Sequence, residues 1–291
     1  MITRGKLGRV ATEHEILRKS NHPFILSLTT SFQSSSHIFF ITHYCLGGTK
    51  FQITLGELYQ LLQRRVLDEA DIRFYTCECI CALEYLHLSG FIYRDLKPES
   101  SFKLTIDILI NGDGHIVFSD FDLSITTPSM KPKLSKKKSL VFSKYSQMNS
   151  RYLDTNTCVS LRSNSFVGTE EYLCPEIIRG TGHSSMVDWW TLGILIYEMV
   201  YGFTPFKGGN RMKTFINVLN SEPKFWKLRD PIQLPPATTE TKHKSYPLSV
   251  GSVCIDLIRK ILVKNEKKRL GAKGGAGQIK GHLFFKGDLI F

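Results

Sequence analysis

The sequence predicts an α+β fold. Short strand patterns occur near the N-terminus and in the middle of the chain, and helical patterns cover most of the C-terminal part. A composition of 42% hydrophobic and 22% charged residues over 291 positions is that of a globular protein. This length allows one large domain or two lobes that share a cleft.

The elements follow one another in a simple order. Helices are predicted at 8–20, 57–65 and 69–88, and the chain is mainly helical from about residue 185, with Pro and Gly breaks at 202–210 and 231–236. Strands are predicted at 24–32 and 37–45, joined by the polar turn QSSS. Two further short strands, 107–110 and 115–120, flank NGDG, which is a strong hairpin signal.

One segment differs in kind from the rest. Residues 125–163 are rich in Ser, Thr and Lys and show no hydrophobic period. We expect a long, mobile insertion there. Its basic run, Lys131 to Lys144, is a candidate nuclear-targeting or anionic-membrane patch, and a solvated basic loop is the simpler interpretation.

The overall charge of +12 favours anionic partners without choosing among nucleotides, membranes, nucleic acids and acidic proteins. The seven cysteines follow no disulfide spacing, so reduced thiols are expected. Cys77, Cys79 and Cys81 alternate along one predicted helix and cannot converge on a metal, which favours buried core residues. We expect neither a signal peptide in residues 1–20 nor a membrane span in the apolar stretch 187–203, which carries Asp188 and Glu198.

Two acidic centres point to phosphate chemistry. Asp95 lies in YRDLKPE, two residues before Lys97, and Asp120 follows the strand pattern HIVFS. A carboxylate can accept the proton of an attacking hydroxyl while an ammonium offsets phosphate charge, and a second carboxylate is a hard ligand for Mg²⁺. Each motif is weak alone, and their order and spacing add specificity.

The ordered motifs resemble those of the eukaryotic protein kinases. Tyr93-Arg94-Asp95 resembles the catalytic-loop triplet, Asp120-Phe121-Asp122 the metal-binding triplet, and Cys174-Pro175-Glu176 the Ala-Pro-Glu motif. The forms YRDLKPE, FVGTEEY and VDWWTLGILIYEM resemble the AGC group. Aspartate in place of glycine at 122, with a long insertion before NSFVGTEEY, resembles the branch that holds plant phototropins and fungal flippase kinases.

This resemblance implies a two-lobe kinase-like fold and a role for each matching residue. Asp95 would be the catalytic base, Lys97 its phosphate partner and Asp120 a magnesium ligand. The remaining implied positions are the helix-C glutamate Glu13, the gatekeeper Thr42, the hinge from His43 to Cys45, Leu109 in the nucleotide site, the activation-loop Ser165 and Thr169 with Arg94 as the phosphate's partner, the substrate-binding Glu57 and Glu99, and the structural anchors Asp188 and Glu176–Arg269.

Three departures from the family pattern bear on activity. Only about a dozen residues precede Glu13, so we expect an N-terminally truncated small lobe, with GKLGRVA at 5–11 leading into the helix and no glycine-rich loop or strand lysine. Residues 49–56 and 100–106 are predicted insertions or gene-model errors. The second metal position falls to Asp107 if strand register decides and to Ser100 if chain contiguity decides; we favour Asp107.

The sequence therefore predicts a remnant small lobe at 1–45 and a mainly helical large lobe at 46–291. The implied activity is transfer of the ATP γ-phosphate to Ser or Thr of basophilic protein substrates, with Mg²⁺. The alternative is a pseudokinase or regulatory fragment that acts by protein binding. An upstream activating kinase at Ser165 and an anionic membrane surface are implied partners, and no specific nucleic acid is expected. The expected location is the cytoplasm, with a membrane surface or the nucleus as alternatives.

Overall fold

The computed structural model describes residues 6–45, 58, 61–62, 67–97, 108–127, 170–182, 184–225 and 250–286. Within these ranges the helices are α1 (Leu7–Lys19), α2 (Glu69–Leu88), α3 (Pro175–Arg179), α4 (Met186–Tyr201), α5 (Arg211–Asn220), α6 (Ser252–Ile261) and α7 (Gly275–Lys280). The strands are β1 (Leu28–Gln33), β2 (Ile38–Thr42), β3 (Phe91–Ile92), β4 (Ile108–Ile110), β5 (Ile116–Phe118) and β6 (Ile125–Thr126). Short 3-10 turns lie at Glu170–Tyr172, Glu266–Lys268 and Leu283–Phe285. The predicted α+β class is confirmed.

The strands of the described ranges form three antiparallel pairs, β1 with β2, β3 with β6, and β4 with β5. The β4–β5 pair is the hairpin predicted around NGDG. The Asn111 amide donates to the His115 carbonyl at 2.8 Å, which closes the turn. Gly114 has a φ of 89°, a conformation that glycine adopts without steric strain.

Helix α2 matches its predicted range because both ends carry local signals. The Asp68 side chain accepts from the Asp71 amide, and the Asp71 side chain accepts from the Asp68 amide, which is a reciprocal capping box. Two residues beyond the helix, Gly90 has a φ of 83°. Cys77 and Cys79 are buried as predicted, whereas Cys81 is only half-buried. Burial raises the pKa of all three thiols.

Helix α4 runs through the core and is buried on all sides. It packs against α2 and α6 and ends where Gly202 adopts a left-handed φ of 75°. None of the helices in the described ranges is both long and apolar enough to cross a membrane.

The first strand starts later than predicted. Residues 24–26 were expected to open β1, but Ile25 forms a parallel bridge with Phe118 of β5. The Leu26 amide donates to the Phe118 carbonyl, and the Phe118 amide donates to the Phe24 carbonyl, both at 2.9 Å. Because β5 takes these backbone groups, they are not available to β2, and β1 begins at Leu28.

The first two residues of the predicted insertion belong to a strand. Residues 125 and 126 form β6, in which Ile125 pairs with Ile92 and Thr126 with Phe91. The Thr127 amide then donates to the Gly90 carbonyl at 2.7 Å. A strand of two residues is too short to show a period in the sequence, so the prediction of an insertion at 125–163 was wrong at its first residues. The remainder, including Lys131 to Lys144, lies outside the described residues.

A buried ion pair ties α3 to the C-terminal part of the fold. The Arg269 guanidinium donates to both Glu176 oxygens, at 2.7 and 3.0 Å, and to the Met186 and Val263 carbonyls. Burial alone would raise the pKa of Glu176, but the Arg269 charge holds it below its ordinary value. The predicted Glu176–Arg269 anchor is confirmed.

A second buried carboxylate joins α2 to the β4–β5 hairpin. Glu78 accepts from the Ile116 amide at 2.9 Å and forms a short hydrogen bond with His115 Nδ1. Both Glu78 and Ile116 are buried. The hairpin that leads to Asp120 is therefore fastened to the central helix by one side chain.

Replacing Glu78 with alanine should lower the free energy of unfolding by about 1–3 kcal/mol, because the buried Ile116 amide loses its acceptor. Glu78→Gln keeps an acceptor oxygen and should lower it by less than half as much. Urea denaturation measures both. The matched control is Glu15→Ala, whose carboxylate pairs with Lys19 at the surface. Equal unfolding midpoints for Glu78→Ala and Glu15→Ala would contradict the prediction.

Candidate active site

The loop from Tyr93 to Lys97 follows β3 and is held from beneath by one carboxylate. Asp188, at the start of α4, is fully buried. It accepts from the Tyr93 amide at 2.9 Å and from the Arg94 amide at 2.7 Å. The His87 Nε2 atom lies 2.7 Å from the same carboxylate. The predicted anchor role of Asp188 is confirmed by these contacts.

The backbone of this loop has an unusual conformation. Arg94 has a φ of 70°, in the left-handed region. Among the non-glycine residues of the described ranges, it alone has a positive φ. Such a conformation persists only where the surroundings fix it, and it is common at functional sites. Here the adjacent amides of Tyr93 and Arg94 both point at Asp188, which fixes the turn.

Asp95 and Lys97 form an ion pair. Lys97 Nζ lies 2.7 Å from Asp95 Oδ2, and both side chains are largely buried. The structure therefore brings together the predicted base and the predicted phosphate partner. A carboxylate in this place can accept a hydroxyl proton, and the neighbouring ammonium can neutralise phosphate charge.

The Arg94 side chain points toward the segment that follows β5. Its Nε donates to the Leu123 carbonyl at 2.7 Å. Burial lowers the pKa of Arg94 to about 10, an effect that Asp188 offsets and Arg9 reinforces. Ser165 and Thr169, the predicted activation-loop residues, lie outside the described ranges, so the pairing of Arg94 with a phosphate stays a prediction.

The Asp120 triplet packs directly on this loop. Asp120 Oδ1 accepts from the Asp122 amide at 3.0 Å. Phe121 is fully buried, with its ring centroid 5.7 Å from that of Tyr93. The Ser124 hydroxyl donates to the Tyr93 carbonyl at 3.3 Å. The predicted metal ligand and the predicted base are therefore parts of one packed unit.

Helix α1 places Glu13 against the same segment. Burial and the nearby carboxylates of Asp120 and Asp122 raise the pKa of Glu13 to about 7. One helical turn earlier, Arg9 Nη1 lies 3.4 Å from Asp122 Oδ2. The described part of the predicted lead GKLGRVA starts at residue 6, and α1 begins at Leu7, one residue before the predicted start.

The predicted nucleotide-site residues lie on two different hairpins. Thr42 ends β2 and is half-buried, His43 is exposed, and Cys45 is half-buried with a pKa raised by burial. Leu109 is the half-buried middle residue of β4, between the buried Ile108 and Ile110.

Several predicted site positions lie outside the described residues. They are Asp107 and Ser100 at the second metal position, Glu57 and Glu99 for substrate, Ser165 and Thr169 of the activation loop, and the segments 49–56 and 100–106. The predicted helix at 57–65 falls mostly outside as well.

The carboxylate of Asp120 is a suitable ligand for a magnesium ion. Asp120 supplies a hard carboxylate, and the Asp122 amide orients its Oδ1 oxygen. The described residues contain no group of three or more His, Cys, Asp or Glu side chains that could hold a metal by themselves. Because Mg²⁺ is commonly held by one or two carboxylates with substrate phosphates and water, a full protein cage is not required.

Two contacts at this site were not predicted from the sequence. They are His87 with Asp188 and Arg9 with Asp122. Arg9 and Glu13 stand four residues apart, so their shared helix face was a signal that could have been used. The partners of these residues lie far away in sequence and carry no local signal.

The fold is that of a protein kinase domain. That family matches residues 2–285, and the chain belongs to it. The chain is 47% identical to Flippase kinase 1 of Saccharomyces cerevisiae over 287 residues, which cover 98% of the chain and 28% of that protein. It is 47% identical to Serine/threonine-protein kinase nrc-2 of Neurospora crassa over 293 residues, covering 98% and 41%.

A plant relative supports the same branch. Phototropin-1A of Oryza sativa subsp. japonica is 43% identical over 290 residues, which cover 99% of the chain and 28% of that protein. The predicted resemblance to flippase kinases and phototropins is thus confirmed. The chain spans about a quarter to two fifths of the length of these three relatives.

Proposed function

We propose that this protein transfers the γ-phosphate of ATP to serine or threonine hydroxyls of protein substrates. The observation that carries the proposal is the packed unit of Asp95, Lys97 and Asp120. Lys97 Nζ lies 2.7 Å from Asp95. Phe121 and Ser124, which follow Asp120 in the chain, both contact Tyr93 of the same loop. Phosphoryl transfer depends mainly on positioning and charge stabilisation, which such a unit supplies.

Each residue has a separate task in this proposal. Asp95 orients the attacking hydroxyl and accepts its proton. Lys97 neutralises charge on the transferred phosphate. Asp120 holds Mg²⁺, which when bound neutralises the phosphate oxygens, and Asp107 is our candidate for the second metal position. The buried Asp188 keeps the loop rigid, so that Asp95 does not need to be reoriented during the reaction.

The nucleotide and substrate contacts are also proposals. We assign Thr42, the hinge from His43 to Cys45, and Leu109 to the adenine side of the site, and Glu13 to the positioning of the phosphates. Glu57 and Glu99 are candidates for binding basic residues upstream of the phosphorylated Ser or Thr. Ser165, near Thr169, is the candidate target of an activating kinase. The name of the yeast relative makes flippases one substrate class to test.

A regulatory protein without catalysis is the second candidate. It is favoured by Glu13, because within the described residues burial and the neighbouring charges of the Asp120 and Asp122 carboxylates raise its pKa. The pairing of Asp95 with Lys97 and the orientation of Asp120 favour the enzyme.

Replacing Asp120 with asparagine should lower phosphate transfer at least about a hundredfold, because it removes a ligand of the Mg²⁺ ion, which when bound would supply several kcal/mol of charge stabilisation. The measurement is incorporation of labelled γ-phosphate into a peptide with arginine upstream of serine, using the full-length protein and Mg²⁺. Asp113→Asn, in the exposed β4–β5 turn, is the matched control. Equal incorporation by the parent and Asp120→Asn would overturn the assignment, and an inactive parent would favour the regulatory candidate.

A further inference from the structure

The pair formed by Arg9 and Asp122 links helix α1 to the segment that carries Asp120. Arg9 Nη1 lies 3.4 Å from Asp122 Oδ2 across 113 residues of sequence. Both side chains are part-exposed, at 40% and 37%. An isolated ion pair with this exposure usually contributes little to the free energy of unfolding. What matters here is that it joins α1 to the segment that carries Asp120.

Asp122 is connected to the metal-binding carboxylate through its own backbone. Its amide donates to Asp120 Oδ1 at 3.0 Å, so the position of Asp122 orients the Asp120 side chain. Its side chain reaches in the other direction, to Arg9. One residue thus joins the helix to the metal ligand through two hydrogen bonds.

Asp122 is not at a position that requires glycine. Among the described non-glycine residues, positive φ is confined to Arg94, so the backbone at 122 accepts an ordinary side chain without strain. Glycine at 122 would keep the hydrogen bond from its backbone amide to Asp120 Oδ1. It would lose the ion pair with Arg9 of α1. The aspartate therefore adds a connection that the backbone alone does not make.

The charges around this connection show why a cation is useful at position 9. Glu13 lies one turn after Arg9, and its pKa is raised partly by Asp120 and Asp122, so these carboxylates repel one another. Arg9 is the cation of α1 that meets Asp122, and it offsets this repulsion. Without it, we expect α1 and the Asp120 segment to separate more easily.

We propose that Arg9 and Asp122 are positioning residues, which hold α1 against the Asp120 segment and thereby keep the Asp120 carboxylate in its metal-binding orientation. This inference rests on the proposed phosphate-transfer function. It adds a link between helix and metal ligand that does not involve a nucleotide. Its consequences can be measured both in the enzyme assay and in the unliganded protein.

The test is a double-mutant cycle of Arg9→Gln and Asp122→Asn in the full-length protein. Each single variant should raise the Mg²⁺ concentration for half-maximal activity about twofold to fivefold, the range expected for a part-exposed ion pair. The double variant should be no worse than either single one, because both remove the same interaction. Arg9→Lys should stay close to the parent, since it keeps the charge.

Hydrogen exchange without nucleotide is the second readout, and it does not depend on activity. Amides of α1 and of residues 120–124 should exchange about twofold to fivefold faster in both single variants. Glu15→Gln, which breaks a pair within α1, should leave residues 120–124 unchanged. Multiplicative effects in the cycle, or unchanged exchange at 120–124 in Asp122→Asn, would overturn the proposal. Loss of activity in Asp120→Asn tests the proposed function separately.

Discussion

Asparagine in place of Asp95 should lower the turnover number by about 10² to 10⁴, the range that a positioned general base contributes. Asparagine keeps an oxygen that can accept from Lys97 Nζ, which lies 2.7 Å from Asp95 in the parent. The loop should therefore keep its shape while losing the group that accepts the hydroxyl proton. Affinity for ATP should change little, because the base acts on the attacking hydroxyl.

Steady-state kinetics of the full-length protein check this expectation. The turnover number should fall, and the KM for ATP should stay within about twofold of the parent value. Asp113→Asn repeats the same chemical change in an exposed turn and should behave like the parent. A turnover near that of the parent in Asp95→Asn would remove Asp95 from its proposed role.

Alanine in place of Asp188 should lower the free energy of unfolding by about 3–5 kcal/mol, the usual effect of removing one partner of a buried charged group. Two backbone amides, of Tyr93 and Arg94, would lose their acceptor in a fully buried place. Arg94 would also lose the contact that keeps its φ at 70°. We expect the loop to relax and activity to fall beyond what the stability change explains.

Urea denaturation measures the stability part of this prediction. His87→Gln is the informative companion, because it removes one of the contacts to Asp188 and leaves both backbone amides paired. It should lower the unfolding free energy by less than half as much as Asp188→Ala. Equal midpoints for Asp188→Ala and the parent would show that the carboxylate does not hold the loop.

Local signals explain why much of the fold could be predicted. The capping box of Asp68 and Asp71 marks the start of α2, and Gly90 lies just beyond its end. The NGDG turn marks the β4–β5 hairpin in the same way. The start of β1 could not be predicted, because Ile25 bridges to Phe118, and nothing local to residues 24–26 encodes that partner.

The candidate site also contains residues that the sequence could predict and contacts that it could not. Asp95, Lys97 and Asp120 could be found because phosphate chemistry favours these residue types and because their order along the chain resembles that of the protein kinases. The contacts of His87 with Asp188 and of Arg9 with Asp122 could not, because they join residues 101 and 113 positions apart. Such pairs are set by how helices pack, and a one-dimensional pattern does not contain that information.

The most direct test of the account is a single-turnover measurement of γ-phosphate transfer to a basic serine peptide. The full-length protein is preloaded with ATP and Mg²⁺, mixed rapidly with peptide and quenched at successive times. We predict phosphopeptide formation by the parent and transfer about 10² to 10⁴ slower in Asp95→Asn, with equal ATP bound at the start. Equal transfer rates in the two proteins, or bound ATP without any phosphopeptide from the parent, would contradict the account.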